Sequence, residues 1–370
     1  MELTFGTIRR LARASVDRID ATLLAVALLL AALGVATLYS ASDESPARVI
    51  AQLRHLGFAL IAMWLIARVP PQLLMRFAVP VYVVGLLLLV AVALFGDVVN
   101  GARRWLSLGV TRFQPSEMMK IAMPLMLAWY FHREEEDLRR RAFVVAGLLV
   151  AIPAVLIARQ PDLGTALLVA AAGFYVIFFA GLRWKSLGTL TAIALLSLAP
   201  VWGLLHDYQR RRILTLLDPT QDPLGAGYHI IQSTIAIGSG GLSGKGWLKG
   251  SQSHLAFIPE RHTDFIFAVY SEEFGFIGSC VLLLLYVLLI ARGLVIAMRA
   301  TNFFSRLLAG AISMMFFTYA FVNMGMVSGV VPVVGVPLPF LSYGGTALLT
   351  LFVAIGLLMS VHKDRKLIRT

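Results

Sequence analysis

Ten long runs of apolar residues constrain the fold of this chain more than any other feature. Each run has about 20 residues, the length that an α-helix needs to cross roughly 30 Å of hydrocarbon. Of the 370 residues, 59% are hydrophobic and 14% are charged, a composition that a soluble globule of this size could not bury. The predicted spans are 20–41, 52–69, 77–95, 116–132, 142–158, 163–181, 186–205, 267–291, 307–328 and 342–361. The sequence therefore predicts an all-α, polytopic integral membrane protein, a single domain over 1–370 with about ten transmembrane helices.

The distribution of basic residues predicts the orientation of these helices. If the N-terminus is cytoplasmic, the cytoplasmic segments hold 19 Lys and Arg residues, whereas the short loops on the opposite side hold five. Cytoplasmic loops carry such an excess in membrane proteins. Both termini are therefore predicted to be cytoplasmic. The net charge of +12 is spread between the apolar runs rather than along one basic face, which argues against a nucleic-acid partner.

One segment, 206–262, then falls on the outer side of the membrane. It is too long for a simple connection, and loops of this length are functional or disordered. Apolar anchors such as Tyr228, Trp247 and Phe257 alternate in it with many glycines. We expect a folded extracytoplasmic cap that lies on the membrane surface.

Three charged candidates stand at the start of the fourth span: Arg112 just before it, and Glu117 and Lys120 in its first turns. Pro115 is expected to end the preceding loop and Ser116 to cap the helix. Glu117 and Lys120 then lie one turn apart on the same helix face. Charge at membrane depth is costly, so it normally faces a cavity or is paired. A self-neutralising ion pair and a substrate-facing pair both remain open.

Two further acids stand where apolar runs begin. Asp162 lies in the four-residue turn between the fifth and sixth spans, with Thr165 three residues later, the pattern of a helix cap. Asp264 closes the long outer segment and enters the eighth span. It is either a first-turn acid that matches the helix dipole or a partly desolvated carboxylate with a raised pKa, suited to a general base. His262 is a rival base because of its intrinsic pKa.

Several catalytic signatures are absent from the sequence. It contains no P-loop, HExxH, CxxC or Gly-x-Ser-x-Gly motif. The glycine-rich string at 238–244 does not follow a strand pattern, so a nucleotide site there is not expected.

The motifs around these residues closely resemble those of the SEDS family (shape, elongation, division and sporulation), from the first span to the last. Within the family, 322–345 and 206–219 are most similar to the rod-shape-determining members. The strings that carry the resemblance are NGARRWLSLG (100–109), RFQPSEMMKIA (112–122), RQPDLGTALL (159–168), LLDPTQDPLGAGYHIIQSTIAIGSGGLSGKGW (216–247), PERHTDFIFAV (259–269) and SYGGTALL (342–349).

The resemblance implies a peptidoglycan glycosyltransferase that polymerises lipid II into glycan strands during lateral cell-wall elongation. It implies a multi-pass protein of the bacterial inner membrane whose active site faces the periplasm. The expected partners are a class B penicillin-binding protein, which is a transpeptidase, and other membrane proteins of the elongation complex. The family's essential aspartate maps onto Asp264, which is therefore the expected general base. Because the leaving group is α-linked and the product β-linked in this family, the sugar transfer is expected to proceed with inversion.

The remaining site residues carried over by the resemblance are substrate-binding candidates. A divalent cation such as Mg²⁺ is expected to assist pyrophosphate departure, with its ligands unassigned, and no organic cofactor is expected. The substrate-binding candidates are Arg112, Glu117, Lys120, Asp162, His262 and Ser342.

Two other functions also fit a ten-span protein. A lipid II flippase would carry paired charges near the bilayer midplane and inverted repeats, which the sequence does not display. A scaffold that only anchors the transpeptidase would not explain why Glu117, Lys120, Asp162 and Asp264 occur together. The transferase interpretation predicts that these charges gather at one face of the bundle.

Overall fold

The computed structural model describes residues 19–99, 102–107, 112–136, 138–204, 207–221, 226–254, 258 and 260–367. Helices dominate these ranges, as the apolar runs predict. The ten helices that coincide with predicted spans are α1 (Ala21–Ala41), α2 (Pro46–Ile66), α3 (Pro71–Phe95), α4 (Pro115–Arg133), α5 (Arg140–Arg159), α6 (Leu163–Phe179), α7 (Trp184–Leu204), α11 (Ile266–Met298), α12 (Phe303–Val327) and α13 (Gly345–Leu367).

Seven of these helices are long and apolar enough to cross a membrane, namely α1, α2, α3, α5, α11, α12 and α13. The helix α4 is not among these seven. It is enclosed by other helices, since it packs against α3, α5, α6, α12 and α13. A helix surrounded by protein can carry charged residues that lipid would exclude. The all-α membrane fold is confirmed, whereas the number of ten spans stays a prediction.

The start of α4 corrects one local prediction. Ser116 was expected to cap the helix, but the helix begins at Pro115 and its N-cap residue is Gln114. Proline suits the first turn because its missing N–H would have no partner there. The turn between α5 and α6 is as predicted: α5 ends at Arg159, and the Asp162 carboxylate accepts a hydrogen bond of 3.1 Å from the N–H of Thr165.

A small antiparallel sheet between α3 and α4 was not predicted. Strand β1 (Asp97–Val99) pairs with β2 (Ala102–Ser107), which in turn pairs with β3 (Arg112–Phe113). The segment was expected to be a loop between two spans, and its strands are only three, six and two residues long. The sheet matters because β2 carries Arg104 and Trp105 to the site described below.

The described parts of the segment 206–262 are folded, and its place on the outer side of the membrane stays a prediction. They form α8 (Asp207–Leu217), a 3₁₀ turn (Pro219–Gln221), α9 (Ala226–Gly240) and the short α10 (Ser251–His254). The helix α9 packs against α11 and α12, and its completely buried Ser233 donates to the carbonyl of Val327 at the end of α12.

Ion pairs at the two ends of α1 relate the chain ends to the site. At its start, Asp20 is paired with Arg292 at 2.5 Å and lies 3.6 Å from His362 near the end of α13. Just after the other end of α1, Asp43 pairs with Arg261. Arg261 precedes Asp264 by three residues. Asp264 therefore lies at the end of the bundle opposite to the beginning of α1 and the end of α13. The predicted basic arm 1–18 lies outside the described residues.

Candidate active site

A polar cavity of about 180 Å³ lies where β2, α4, α6 and the loop before α13 meet. Both signs of charge contribute to its wall, with acidic groups from α4 and the start of α6 and cationic groups from β2 and α4. Its lining residues are Arg104, Trp105, Gln114, Glu117, Lys120, Asp162, Thr165, Leu168, Gly335, Val336, Pro337, Thr346 and Ala347.

Glu117 and Lys120 form a buried ion pair in the first turn of α4. The Lys120 Nζ lies 2.5 Å from Glu117 Oε1 and 5.1 Å from the centre of the Tyr319 ring on α12. No described residue donates a hydrogen bond to the second oxygen, Glu117 Oε2. The pair therefore neutralises itself and still leaves one buried carboxylate oxygen available beside the cavity.

The turn before α6 holds Asp162 through backbone and side-chain contacts. Its Oδ1 caps α6, and its Oδ2 accepts a hydrogen bond of 3.0 Å from Gln114 Nε2. From β2, the Arg104 guanidinium donates to the carbonyls of Gln160 and Pro161 in the same turn. Asp162 is thus a helix cap and also a lining residue of the cavity, so the two interpretations of this residue are compatible.

Asp264 lies at the rim of the cavity, beside Gly335. A Cβ atom on Gly335 would stand 3.3 Å from Asp264 Oδ2, and Gly335 has a φ of +72°. Asp264 does not cap α11, because the N-cap residue is Phe265 and no side chain caps that end. Burial, reinforced by the charges of Glu260 and Asp162, raises the pKa of Asp264 to about 6, the range that suits a general base near neutral pH.

Asn323 on α12 joins the two backbone segments that form this rim. Its Nδ2 donates to the carbonyl of Asp264 at 2.8 Å and to the carbonyl of Val336 at 2.7 Å. Its side chain is completely buried. One amide group therefore fixes the distance between the segment that carries Asp264 and the loop that carries Gly335.

Ser342 and His262 lie in a second connection between the same segments. The Ser342 hydroxyl donates to the carbonyl of Thr263 at 2.7 Å and accepts from the N–H of Leu338 at 2.8 Å. The Tyr343 N–H donates to the carbonyl of His262 at 2.9 Å. Burial, with the nearby charge of Arg48, lowers the pKa of His262, so its imidazole is neutral at physiological pH.

Three of the predicted substrate-binding residues, Glu117, Lys120 and Asp162, line one cavity, with Asp264 at its rim. His262 and Ser342 do not line it. Arg112 lies in β3, and its side chain is outside the described part of the structure. The prediction that the acidic and basic candidates gather at one end of the bundle agrees with this geometry for the four residues that can be placed.

Four residues that hold the site together were not predicted individually, namely Arg104, Gln114, Asn323 and Gly335. Arg104 stands inside the string 100–109 that supported the family resemblance, which was a usable signal. Asn323 is a lone polar residue in an apolar run, where a buried amide needs hydrogen-bond partners. For Gly335, the string VVGVP gives no indication of what the missing Cβ leaves room for.

An apolar groove adjoins the polar cavity between α5 and α6. Its volume is about 500 Å³, and its walls expose no polar surface. Leu163 and Val334 line it, and they directly neighbour Asp162 and Gly335 of the polar cavity in the chain. The remaining lining residues are Ala151, Ala154, Val155, Ala158, Ala166, Leu167 and Ala170. Residues adjacent in the chain therefore line the apolar groove and the polar cavity.

Comparison with protein families matches residues 20–367 to the FtsW/RodA/SpoVE family, described as cell cycle proteins. The chain is 48% identical over 351 residues to the peptidoglycan glycosyltransferase MrdB of Escherichia coli (strain K12), covering 95% of each chain. It is 37% identical over 358 residues to the stage V sporulation protein E of Bacillus subtilis (strain 168), covering 93% of this chain and 97% of that protein.

Solved structures give the same result. One similar chain belongs to a peptidoglycan synthase complex described as coordinating polymerization and crosslinking. It has a TM-score of 0.82 and 38% identity, covering 94% of this chain and 98% of its own. The rod shape determining protein RodA of Thermus thermophilus has a TM-score of 0.71 and 32% identity, covering 94% and 97%.

Proposed function

Since this chain belongs to the FtsW/RodA/SpoVE family and is a peptidoglycan glycosyltransferase, we propose that it polymerises lipid II with Asp264 as the general base. Lipid II is a disaccharide-pentapeptide carried on undecaprenyl pyrophosphate. The reaction forms a glycosidic bond between an acceptor sugar hydroxyl and the anomeric carbon of the donor. The bond from that carbon to the pyrophosphate oxygen breaks, and the Asp264 carboxylate accepts the hydroxyl proton.

The position of Asp264 is the observation that carries this proposal. Its carboxylate stands at the rim of the cavity that Glu117, Lys120 and Asp162 line. A pKa of about 6 leaves it ionised at neutral pH yet more basic than an ordinary aspartate, a combination that makes proton transfer efficient. A single displacement with the base on one side and the leaving group on the other inverts the anomeric centre, and proton transfer of this kind contributes about 10²–10⁴-fold to the rate.

The cationic side of the cavity suits the leaving group. Negative charge develops on the pyrophosphate as the bond breaks, and fixed cations in a site with little water stabilise it strongly. Lys120 and Arg104 line the cavity on the α4 and β2 sides. We assign pyrophosphate stabilisation to these two residues, with Arg112 as the third member that the family resemblance suggests.

A divalent cation fits the acidic groups only together with the substrate. No cluster of three or more acidic, His or Cys ligands occurs within the described ranges of the chain. Mg²⁺ commonly binds through one or two carboxylates plus substrate phosphates, and Glu117 Oε2 and Asp162 offer such carboxylates. When bound, the ion would neutralise charge on the pyrophosphate.

The groove between α5 and α6 suits the polyprenyl chain of the substrate. Burial of apolar carbon is favourable and needs no directional partners, and the groove walls are entirely apolar. Because the groove adjoins the turn at Asp162, a chain lying in it would deliver its pyrophosphate into the polar cavity. This arrangement explains why a sugar-transferring site stands inside a helical bundle.

Narrowing the groove tests its occupant. Ala154→Phe fills the groove, whereas Val144→Phe changes an exposed residue of the same helix. We expect Ala154→Phe to raise the KM for lipid II about tenfold and to leave kcat nearly unchanged, since it removes binding shared by the ground and transition states. Equal KM values for the two variants would place the polyprenyl chain elsewhere.

The cellular setting follows from the same premise. The chain is an integral membrane protein, and we place it in the bacterial inner membrane with the Asp264 end of the bundle facing the periplasm, active in lateral elongation. We propose a class B penicillin-binding protein as partner, with other membrane proteins of the elongation complex. The similarity to a chain of a peptidoglycan synthase complex that coordinates polymerization and crosslinking supports this choice.

The direct test uses purified full-length protein and labelled lipid II. Asp264→Asn keeps the shape of the side chain and removes its basicity, so it should fold and yet form no glycan strands. Asp97→Asn is the matched control, because Asp97 is an exposed aspartate of β1 at the same end of the bundle. Glycan synthesis by Asp264→Asn at the wild-type rate would remove the base assignment. Transport of lipid II across liposomes without polymerisation would favour a flippase.

A further inference from the structure

The helix α11 is broken at Gly275. The loop 241–250, here called the bridging loop, supplies hydrogen-bond partners to the backbone on both sides of this break. Gly275 has φ 65° and ψ −161°, far from helical values. In a continuous helix the N–H groups of Phe276 and Ile277 would bond to the carbonyls of Glu272 and Glu273. The break therefore leaves two donors and two acceptors of the backbone without their helical partners.

The bridging loop satisfies all four of these groups. Phe276 and Ile277 donate to the carbonyls of Gly241 and Leu242 at 2.9 and 3.1 Å. In return, the Lys245 and Gly246 N–H groups each donate, at 3.0 Å, to the carbonyls of Glu272 and Glu273. Backbone groups at membrane depth need such partners. The geometry of α11 at Gly275 therefore depends on the position of the bridging loop.

A charge pair between the buried Glu272 and the partly exposed Lys245 fastens the loop to the break. Glu272 is completely buried, and its Oε1 accepts from Lys245 Nζ at 2.7 Å, from Ser251 Oγ at 3.2 Å and from the Gln252 N–H at 3.0 Å. Its Oε2 has no hydrogen-bond donor among the residues that the structure places. Within the described part of the protein, Lys245 is the cation that pairs with the Glu272 carboxylate.

The first half of α11 is consequently held from outside its own helix. It begins two residues after Asp264 and ends at the break. The segment 206–262 contacts this half of α11 at both ends. The bridging loop binds Glu272, and His229 of α9 stacks on Phe265 with 5.4 Å between the ring centres. A hinge at Gly275 would allow this half to move with Asp264 attached.

We infer that Lys245 and Glu272 are a positioning pair, which closes the break in α11 and thereby holds Asp264 at the rim of the cavity. This inference rests on the proposed role of Asp264 as general base. Neither residue lines the cavity, so the pair acts through the backbone of the first half of α11. Loss of Lys245 leaves the buried Glu272 carboxylate without this counter-charge, which opens the break, because an unpaired buried charge needs water.

The test compares Lys245→Met, Glu272→Gln and the double variant in the full-length protein. Lys249→Met is the control, because Lys249 is an exposed lysine of the same loop. We expect Lys245→Met to lower kcat per folded molecule by about 10²-fold, the effect of a displacement of about 1 Å, with KM for lipid II changed less than about twofold. Amide exchange at Phe276 and Ile277 should accelerate in the same variant and not in Lys249→Met.

The double variant separates positioning from mere stabilisation. It contains no lone charge, and the amide introduced by Glu272→Gln would keep an oxygen acceptor for Ser251 and Gln252, so kcat should return to within about tenfold of the wild-type value. The inference is overturned if Lys245→Met keeps the wild-type kcat, or if its kcat per folded molecule is normal and only the thermal midpoint falls. Asp264→Asn is assayed alongside: if it polymerises lipid II, the proposed function fails, whereas an inactive Asp264→Asn beside a fully active Lys245→Met overturns the positioning pair alone.

Discussion

Asn323 Nδ2 donates a hydrogen bond of 2.8 Å to the backbone carbonyl of Asp264, although 59 residues separate the two in the chain. The same nitrogen donates to the carbonyl of Val336. Because both acceptors are backbone atoms, the bond constrains where the Asp264 side chain starts rather than which way it turns. The proposed general base is therefore placed by a residue of α12, far from it in the chain.

Asn323→Asp should lower kcat at least about tenfold with little change in size. The substitution replaces the NH₂ group by an oxygen that cannot donate when ionised, and this oxygen would face two carbonyl oxygens that repel it. Steady-state polymerisation of lipid II, at matched folded fractions, measures the effect. Asn323→Ala removes the two hydrogen bonds without adding repulsion, so its kcat should lie between the values of the wild type and Asn323→Asp. A kcat for Asn323→Asp equal to the wild-type value would contradict the placement role.

The pH dependence of polymerisation should report the raised pKa of Asp264. A base must be ionised, and the pKa of this carboxyl is raised to about 6. As pH falls through about 6 the carboxylate takes up a proton, so kcat/KM should decline about tenfold for each further pH unit. An initial-rate profile between about pH 4.5 and 8 measures it. A flat profile down to about pH 4.5 would mean that another group accepts the proton.

Two substitutions of Asp162 should separate its structural and functional roles. Asp162→Ala removes the cap of α6 and the bond from Gln114, which should cost about 1 kcal/mol of stability. Asp162→Asn keeps a capping oxygen, since asparagine caps helices as well as aspartate does, but loses the charge. We expect the thermal midpoint to fall only for the alanine variant, while both lose turnover. Full turnover by Asp162→Asn would reduce this residue to a cap.

The Glu117–Lys120 pair should behave as a coupled unit in stability and not in catalysis. Removing one partner of a buried pair leaves an uncompensated charge and costs about 3–5 kcal/mol, so Lys120→Met and Glu117→Gln should each lower the thermal midpoint markedly.

The double variant Glu117→Gln/Lys120→Met provides the control for that prediction. It should regain much of the stability because no lone charge remains, yet it should stay poorly active because the cation beside the pyrophosphate is missing. Thermal unfolding in detergent and lipid II turnover, measured on the same preparations, give both values. Recovery of activity together with stability would show that the pair is purely structural.

Local features of this protein could be predicted from its sequence because they depend on neighbouring residues. The ten apolar runs all coincide with helices, since hydropathy and length determine what a membrane accepts. The cap at Asp162 and the tight turn after Arg159 depend on residues within four positions of each other. Asp264 was identified from its place at the edge of an apolar run and from the motif around it.

The tertiary structure alone decided what these residues face. The break at Gly275 interrupts an apolar run without changing its hydropathy, so the sequence predicted an ordinary helix there. Ser342 belongs to the string 342–349 and was predicted to bind substrate, but its hydroxyl donates to the backbone carbonyl of Thr263. No sequence pattern indicated that Gly335 leaves room for the Asp264 side chain. These relationships join residues far apart in the chain, and a hydrogen bond or a close approach is specified only when folding brings both partners together.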